Sequence, residues 1–330
     1  MYDKKGVVLY IRITENCNAR CFMCGFAKSK KSIYVQDQHM RDIVMEAKKS
    51  GIQLVRFTGG ETLLHQGILA FIKSFKKENI KTSIITNGFL LPRFADGLIA
   101  ASIDQIIVSI DGSKAALHDK LRNLTGLLEN ATKGIKAVKA KSGKVIVRVN
   151  TVVSPYNIDD LEDILNNLIN LRVDQWSLIP LKSTKNLWKS EDIMEVIKKY
   201  KKFQKKIKNI TKPILLGYSK QWAGRNGKEV YEYFEKGVTM RPKNVCNVVN
   251  LVRFYDPFSR RLLPCNCVPW RLENISVNTE SGLNALNDKS LATFVAYVHE
   301  NGPDICTGCE PTNAYLSNHP EILEKNIFLF

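Results

Sequence analysis

The sequence predicts an α/β protein: parallel strands joined by crossover helices over roughly the first 190 residues, then a small α+β appendix. Three observations lead there. Short apolar, β-branched runs alternate with amphipathic helical stretches six times in succession, a pattern that builds a doubly wound sheet or a barrel. Distinctive polar groups recur just beyond the end of each run, on the side where β/α barrels keep their chemistry. Beyond residue 190 the alternation stops, and Pro, Asn, Cys and aromatic residues take over.

In chain order, Val7–Ile13 is the first strand, and CNARCFMC at 17–24 follows it with Cys17, Cys21 and Cys24. Gln36–Lys49 has helical periodicity. Gln53–Phe57 is the second strand and runs into TGGET, with Gly59, Gly60 and Glu61. After helix Ile68–Lys77, strand Thr82–Ile85 ends in ITNG with Asn87, and Gln105–Ile110 ends in VSIDG with Ser109 and Asp111. Helix Leu127–Lys141 leads to strand Lys144–Val153, which contains Asn150; helix Ile158–Leu171 leads to strand Asp174–Ile179. No G-x-G-x-x-G follows the first strand, which counts against a dinucleotide-binding sheet. Next comes KKYKKFQKKIKNITK at 198–212, with Tyr200, Phe203, Ile207 and Ile210 at helical spacing among its lysines. It reads as a basic helix with one packed face. From 248 to 270, two apolar runs flank Asp-Pro-Phe-Ser-Arg as a hairpin would, and a helix near 289–300 precedes CTGC at 306–309. Three units result: 1–190, a linker helix at 191–212, and 213–330.

Composition narrows the function. No run approaches the eighteen or so apolar residues of a membrane span, and the N-terminal run VVLYI is too short for a signal peptide. The expected location is the cytoplasm, where eight cysteines suggest metal ligation or catalysis rather than disulfides. The net charge of +17 suits an acidic partner, either nucleic acid or a phosphorylated or carboxylated small molecule. It equally suits a lysine-rich surface and decides nothing alone. The three thiols of one loop are more telling. Structural zinc wants four ligands, whereas three thiolates on a cubane iron–sulfur cluster leave one iron open for a ligand.

Residues 8–185 resemble the radical S-adenosylmethionine (SAM) superfamily. The family signature CxxxCxxC matches Cys17, Cys21 and Cys24, and its GGE motif matches Gly59, Gly60 and Glu61. The resemblance implies a partial (β/α)6 TIM barrel with a [4Fe–4S] cluster on the three cysteines. The cluster's open iron would chelate SAM and split it reductively to a 5′-deoxyadenosyl radical. The GGE loop is implied to receive the amino group of SAM. Asn87, Ser109, Asp111, Arg122 (in HDKLR) and Asn150 stand where relatives contact its ribose or carboxylate. Met23 replaces the aromatic residue common before the last cysteine; a thioether can still pack on adenine.

The order Cys246, hairpin, Cys265, helix, Cys306-x-x-Cys309 resembles the twitch domain, a short relative of SPASM. This implies a second, auxiliary [4Fe–4S] cluster on those four residues; a structural zinc on the same thiolates is the alternative. Cys267 is left over, either as a small buried hydrophobe or as a hydrogen-atom donor to a substrate radical. The motifs look most like the branch that holds cytosylglucuronate decarboxylase and aminocyclitol dehydrogenases. The implied reaction is therefore hydrogen abstraction from a carbohydrate- or nucleoside-type metabolite, leading to oxidation, epimerisation or decarboxylation, with flavodoxin or ferredoxin as external electron donor. A ribosomal-peptide substrate, an RNA substrate and a non-catalytic cluster scaffold are the competing readings.

Overall fold

The computed structural model describes residues 8–25, 33–181, 195, 198–200, 202–203, 205–207, 214–217, 252–259, 261–263, 277–278 and 328. All six expected strands form within two residues of their expected ends: β1 Val8–Thr14, β2 Leu54–Gly59, β3 Lys81–Thr86, β4 Gln105–Ser109, β5 Ile146–Val153 and β6 Gln175–Pro180. The sheet then continues further than expected. A seventh parallel strand, β7 (Ile214–Gly217), lies beside β6. The hairpin β8 (Val252–Asp256) and β9 (Arg261–Leu263) forms as its turn residues suggest, and β10 (Val277–Asn278) pairs with β9. Instead of standing apart, β8 runs parallel to β1 and covers its outer edge. The strand order is β10-β9-β8-β1-β2-β3-β4-β5-β6-β7, an α/β partial-barrel architecture.

The helices are α1 (Asp37–Lys49), α2 (Ile68–Lys77), α3 (Leu91–Ala100), α4 (Ala115–Arg122), α5 (Leu127–Lys141) and α6 (Leu161–Asn170), the last entered through a 3-10 turn at Ile158–Asp160. Neither α3 nor α4 was singled out by periodicity; both are short. Local chemistry sets their limits. Pro92 sits in the first turn of α3, where its missing N–H costs nothing. Asn123 ends α4 in the left-handed region, at φ 48°. Asp119 then accepts from the N–H groups of Gly126 (2.7 Å) and Leu128 (3.0 Å), capping the start of α5.

Strand register sorts the side chains into two faces. On the outer face, Leu9, Ile11, Phe57 and Trp176 are fully buried against the helices, with Phe57 edge-on to Phe75 of α2. Three described residues of the basic stretch, Tyr200, Phe203 and Ile207, are buried as the spacing predicts, and Phe203 meets Trp176 edge-on. On the solvent side, Lys199 pairs with Asp159 and Lys206 with Glu162. At the strand-entry end one device occurs twice. Lys76 of α2 pairs with Asp104, which also accepts from Thr82 N; Lys139 of α5 pairs with Asp174, which accepts from Val147 N.

The inner face is polar. Arg56 donates to Tyr10 Oη (2.7 Å), Ser83 Oγ (3.2 Å) and Gln105 Oε1 (2.8 Å), and Gln105 Nε2 donates to Gln175 Oε1 (2.9 Å) and to the carbonyl of Phe328 (3.1 Å). This network forms a satisfied polar floor, as burial demands. The helical layer meanwhile closes tightly where α3 meets α5. A Cβ placed on Gly134 would lie 2.5 Å from Leu91 Cγ and 2.6 Å from its Cβ. Gly134→Ala is therefore expected to lower stability by about 1–3 kcal/mol through overpacking, read as a lower urea midpoint at unchanged slope.

Candidate active site

The cysteine loop leaves the end of β1 and is held from three sides. The first contact is backbone against backbone. Gly59 has φ 142°, and a Cβ there would lie 2.1 Å from the Thr14 carbonyl oxygen; at Gly60 it would lie 2.1 Å from that of Asn16. No side chain fits at either place, so the TGGET turn lies flat on the loop. Gly60 N then donates to Thr14 O (2.9 Å) and Glu61 N to Asn16 O (2.7 Å). The second contact comes from α4. The last carbonyls of a helix lack intrahelical donors, and here Arg20 N reaches Arg122 O (3.1 Å) while Phe22 N reaches Leu121 O (3.4 Å). From the third side, Asn87 Nδ2 donates to Asn18 Oδ1 (2.8 Å). Within the loop, Arg20 donates to Cys17 O and Cys24 N to Cys21 O.

Two carboxylates foreseen as cofactor contacts are engaged by the chain itself. Glu61 is 0% exposed. Its Oε1 accepts from Leu63 N (3.0 Å) and Thr86 Oγ1 (2.6 Å), and its Oε2 accepts from Asn87 N (2.7 Å). Burial still pushes its carboxyl above the usual range. Asp111, also 0% exposed, accepts from Val152 N through Oδ1 (2.8 Å) and pairs through Oδ2 with Arg122 (2.8 Å). These two groups tie β2 to β3 and β4 to β5. Ser109 and Asn150 lie side by side in register on the inner face, and Arg148 Nε donates to Asn150 Oδ1 (2.9 Å). Met23 is partly buried against the core.

Several residues that build this site were missed from sequence. Thr86 and Asn18 lie inside the quoted motifs, but nothing local marks their partners. His118 accepts from Asp111 N through Nδ1 (3.0 Å), so its proton sits on Nε2; burial, then the Arg122 charge, push its pKa down to about 3, and the ring is neutral. Asn157 donates to Asp111 O (2.9 Å) and Val152 O (2.8 Å), closing the turn after β5.

The donor set fits an iron–sulfur cluster. Cys17, Cys21 and Cys24 are free thiols. Burial, above all, pushes Cys17 up to about 11, and the neighbouring charges of Glu61, Cys21 and Cys24 add to this; burial raises Cys21 as well, against the pull of Arg122. Such thiols hold their protons until a cation takes the proton's place. Among the described residues, no three His, Cys, Asp or Glu side chains converge as ligands of one ion; a cubane instead takes each thiolate on a different iron. Arg122 places NH1 4.0 Å from Cys21 Sγ, while its buried Nε has no acceptor, leaving a donor for an anionic ligand beside the loop. Cys246, Cys265, Cys267, Cys306 and Cys309 lie outside the described residues.

Comparison with known proteins agrees with this chemistry. Residues 11–168 match the model of the radical SAM superfamily. Curated relatives include proteins named GTP 3′,8-cyclase. That of Alkaliphilus oremlandii is 33% identical over 183 residues, covering 53% of this chain and 56% of that protein. That of Petrotoga mobilis is 35% identical over 186 residues, covering 53% and 55%. The chain thus spans little more than half the length of these relatives. Among solved structures, anSMEcpe with bound AdoMet superposes with a TM-score of 0.66 over 97% of both chains, at 16% identity. Streptococcus suis SuiB bound to S-adenosylmethionine gives 0.67, also at 16% identity, over 93% of this chain and 73% of that one. At such identity the likeness is one of fold.

The glycine seam supplies a test. In Gly60→Ala the new methyl must drive the Asn16 carbonyl and the cysteine loop apart. Metal affinity is expected to fall about 10–100-fold, as for loss of a supporting contact, read by chelator competition on reconstituted protein whose far-ultraviolet circular dichroism is unchanged.

Proposed function

We propose, for a chain whose residues 11–168 match the radical SAM superfamily, that it is an enzyme of that kind and acts on a carbohydrate- or nucleoside-type metabolite by removing one hydrogen atom from it. Bound at the cysteine loop, a [4Fe–4S] cluster and SAM supply the chemistry, a reductively generated 5′-deoxyadenosyl radical. The chain's own residues hold, orient and shield. Cys17, Cys21 and Cys24 would carry the cluster, the Gly59–Gly60 backbone fixes their loop, and the unpartnered Arg122 Nε would meet the carboxylate of SAM. Ser109 and Asn150, adjacent on the inner wall, would face its ribose. Oxidation, epimerisation and decarboxylation are the outcomes consistent with such a start, and a flavodoxin- or ferredoxin-type donor would provide the electron. The auxiliary cluster on Cys246, Cys265, Cys306 and Cys309, and a hydrogen-donor role for Cys267, belong to the same proposal.

The observation that carries the substrate class is the chemistry of the inner wall. Barrels of parallel strands are commonly filled by Val, Ile and Leu. Here Arg56, Ser83, Gln105, Arg148, Asn150 and Ser177 share the inward face by register. Ser177 Oγ is buried without a hydrogen-bond partner. With Arg56, Ser83 and Gln105 engaged in the floor network, the polar character of Ser109, Asn150 and Ser177 on the same face favours a hydroxylated small molecule over an apolar one, and relatives named for GTP point the same way. The solved SuiB complex with precursor peptide SuiA makes a peptide the comparison to run beside it.

Anaerobically reconstituted protein is expected to release 5′-deoxyadenosine from SAM on dithionite reduction. Sugar nucleotides or uronates should accelerate release, and Cys21→Ala should abolish it, as followed by liquid chromatography and mass spectrometry. Absence of 5′-deoxyadenosine would refute the activity; acceleration by a peptide alone would overturn the substrate class.

A further inference from the structure

Arg122 is clamped between a carboxylate and a sulfur. NH2 lies 2.8 Å from Asp111 Oδ2, and NH1 lies 4.0 Å from Cys21 Sγ. Asp111 is 0%, Arg122 8% and Cys21 8% exposed, so water screens these charges weakly. The arrangement is rigid at both ends. Asp111 is pinned by Val152 N and by Arg122 itself, and its backbone is pinned by His118 and Asn157. The Arg122 backbone, in turn, is held by Arg20 of the cysteine loop. A guanidinium cannot lose its charge in a protein. Its position beside the sulfur therefore makes a fixed positive charge next to whatever Cys21 carries.

We propose that Arg122 tunes the reduction potential of the cluster at Cys21, its charge favouring the reduced form, and that Asp111 meters that charge. The inference rests on the reading that Cys17, Cys21 and Cys24 hold a [4Fe–4S] cluster. One-electron reduction from the 2+ to the 1+ state adds one negative charge, and hydrogen bonds and charges near cluster sulfurs are known levers on potential. A nearby cation stabilises the added electron and raises the potential; a nearby carboxylate does the reverse. The pair thus sets a compromise. Arg122 makes the cluster reducible by a biological donor, and Asp111 keeps the reduced cluster strong enough as a reductant to cleave a sulfonium.

The test is a potentiometric titration of the reconstituted protein with dithionite, without SAM, followed by electron paramagnetic resonance. Arg122→Gln should shift the midpoint to lower potential, and Asp111→Asn, whose amide oxygen can still accept from Val152 N, should shift it higher. Arg122→Lys, which keeps the charge and loses the fork, should recover most of the loss. A merely structural clip would lower cluster content without these opposite shifts. Variants that carry full iron and sulfide yet titrate with the wild-type midpoint overturn the proposal. Should Arg122→Gln fail to fold, an unchanged midpoint in Asp111→Asn overturns it alone. Wild-type protein that takes up no cluster overturns both this inference and the reading beneath it.

Discussion

The close approach of two peptide backbones governs this molecule. Gly59 and Gly60 touch the carbonyls of Thr14 and Asn16 at distances that leave no room for a Cβ, and this contact converts the end of β2 into a wall for the cysteine loop. Everything around the seam stabilises it. Glu61 is carried into the interior directly after the glycines, where an isolated carboxylate would be costly; its three donors offset that cost, and two of them, Thr86 Oγ1 and Asn87 N, fasten the turn to the end of β3. Asn87, whose own N–H is one of those donors, reaches back through its side chain to Asn18. A loop with three thiols and no regular hydrogen-bond ladder thus acquires a fixed shape from its neighbours.

Sequence alone made much of this legible, and the reason is period. Six strands appear where short apolar runs occur, and α1, α2, α5 and α6 where the 3.6-residue period is strong. α3 and α4 escaped because α3 carries Pro92 and Gly97, which read as breakers, and α4 has only eight residues. The motifs CNARCFMC and TGGET were found, but their division of labour was not. Glu61 looks from sequence like a ligand for an ammonium, and Asp111 like a contact to the cofactor; in the fold Glu61 also accepts from Thr86, 25 residues away, and Asp111 from Val152 N, 41 residues away. Such pairings follow from the closed topology, which no local window contains. The same holds for β8: its turn chemistry marks a hairpin, whereas its pairing with β1 depends on some 240 intervening residues.

Charge divides likewise into legible and hidden parts. The lysine-rich stretch is conspicuous in the sequence, yet its described face packs Tyr200, Phe203 and Ile207 inward, and two of its lysines meet acidic partners around α6. Such exposed pairs contribute little energy, but they show that this segment belongs to the barrel's outer layer. The arginines that matter most, at 12, 56, 122 and 148, are scattered in sequence and inconspicuous there. They are all buried, and burial is what gives a charge its reach.

The outer edge of β1 is covered by a strand from the last quarter of the chain, sealed by the ion pair of Arg12 with Asp256 across 244 residues. During synthesis β2 can dock beside β1 early, but β8 leaves the ribosome only after nearly two hundred further residues. Until then a bare strand edge lies beside the cysteine loop, an arrangement prone to intermolecular pairing. The order of translation therefore leaves that edge of the first strand uncovered until the last quarter of the chain has been made.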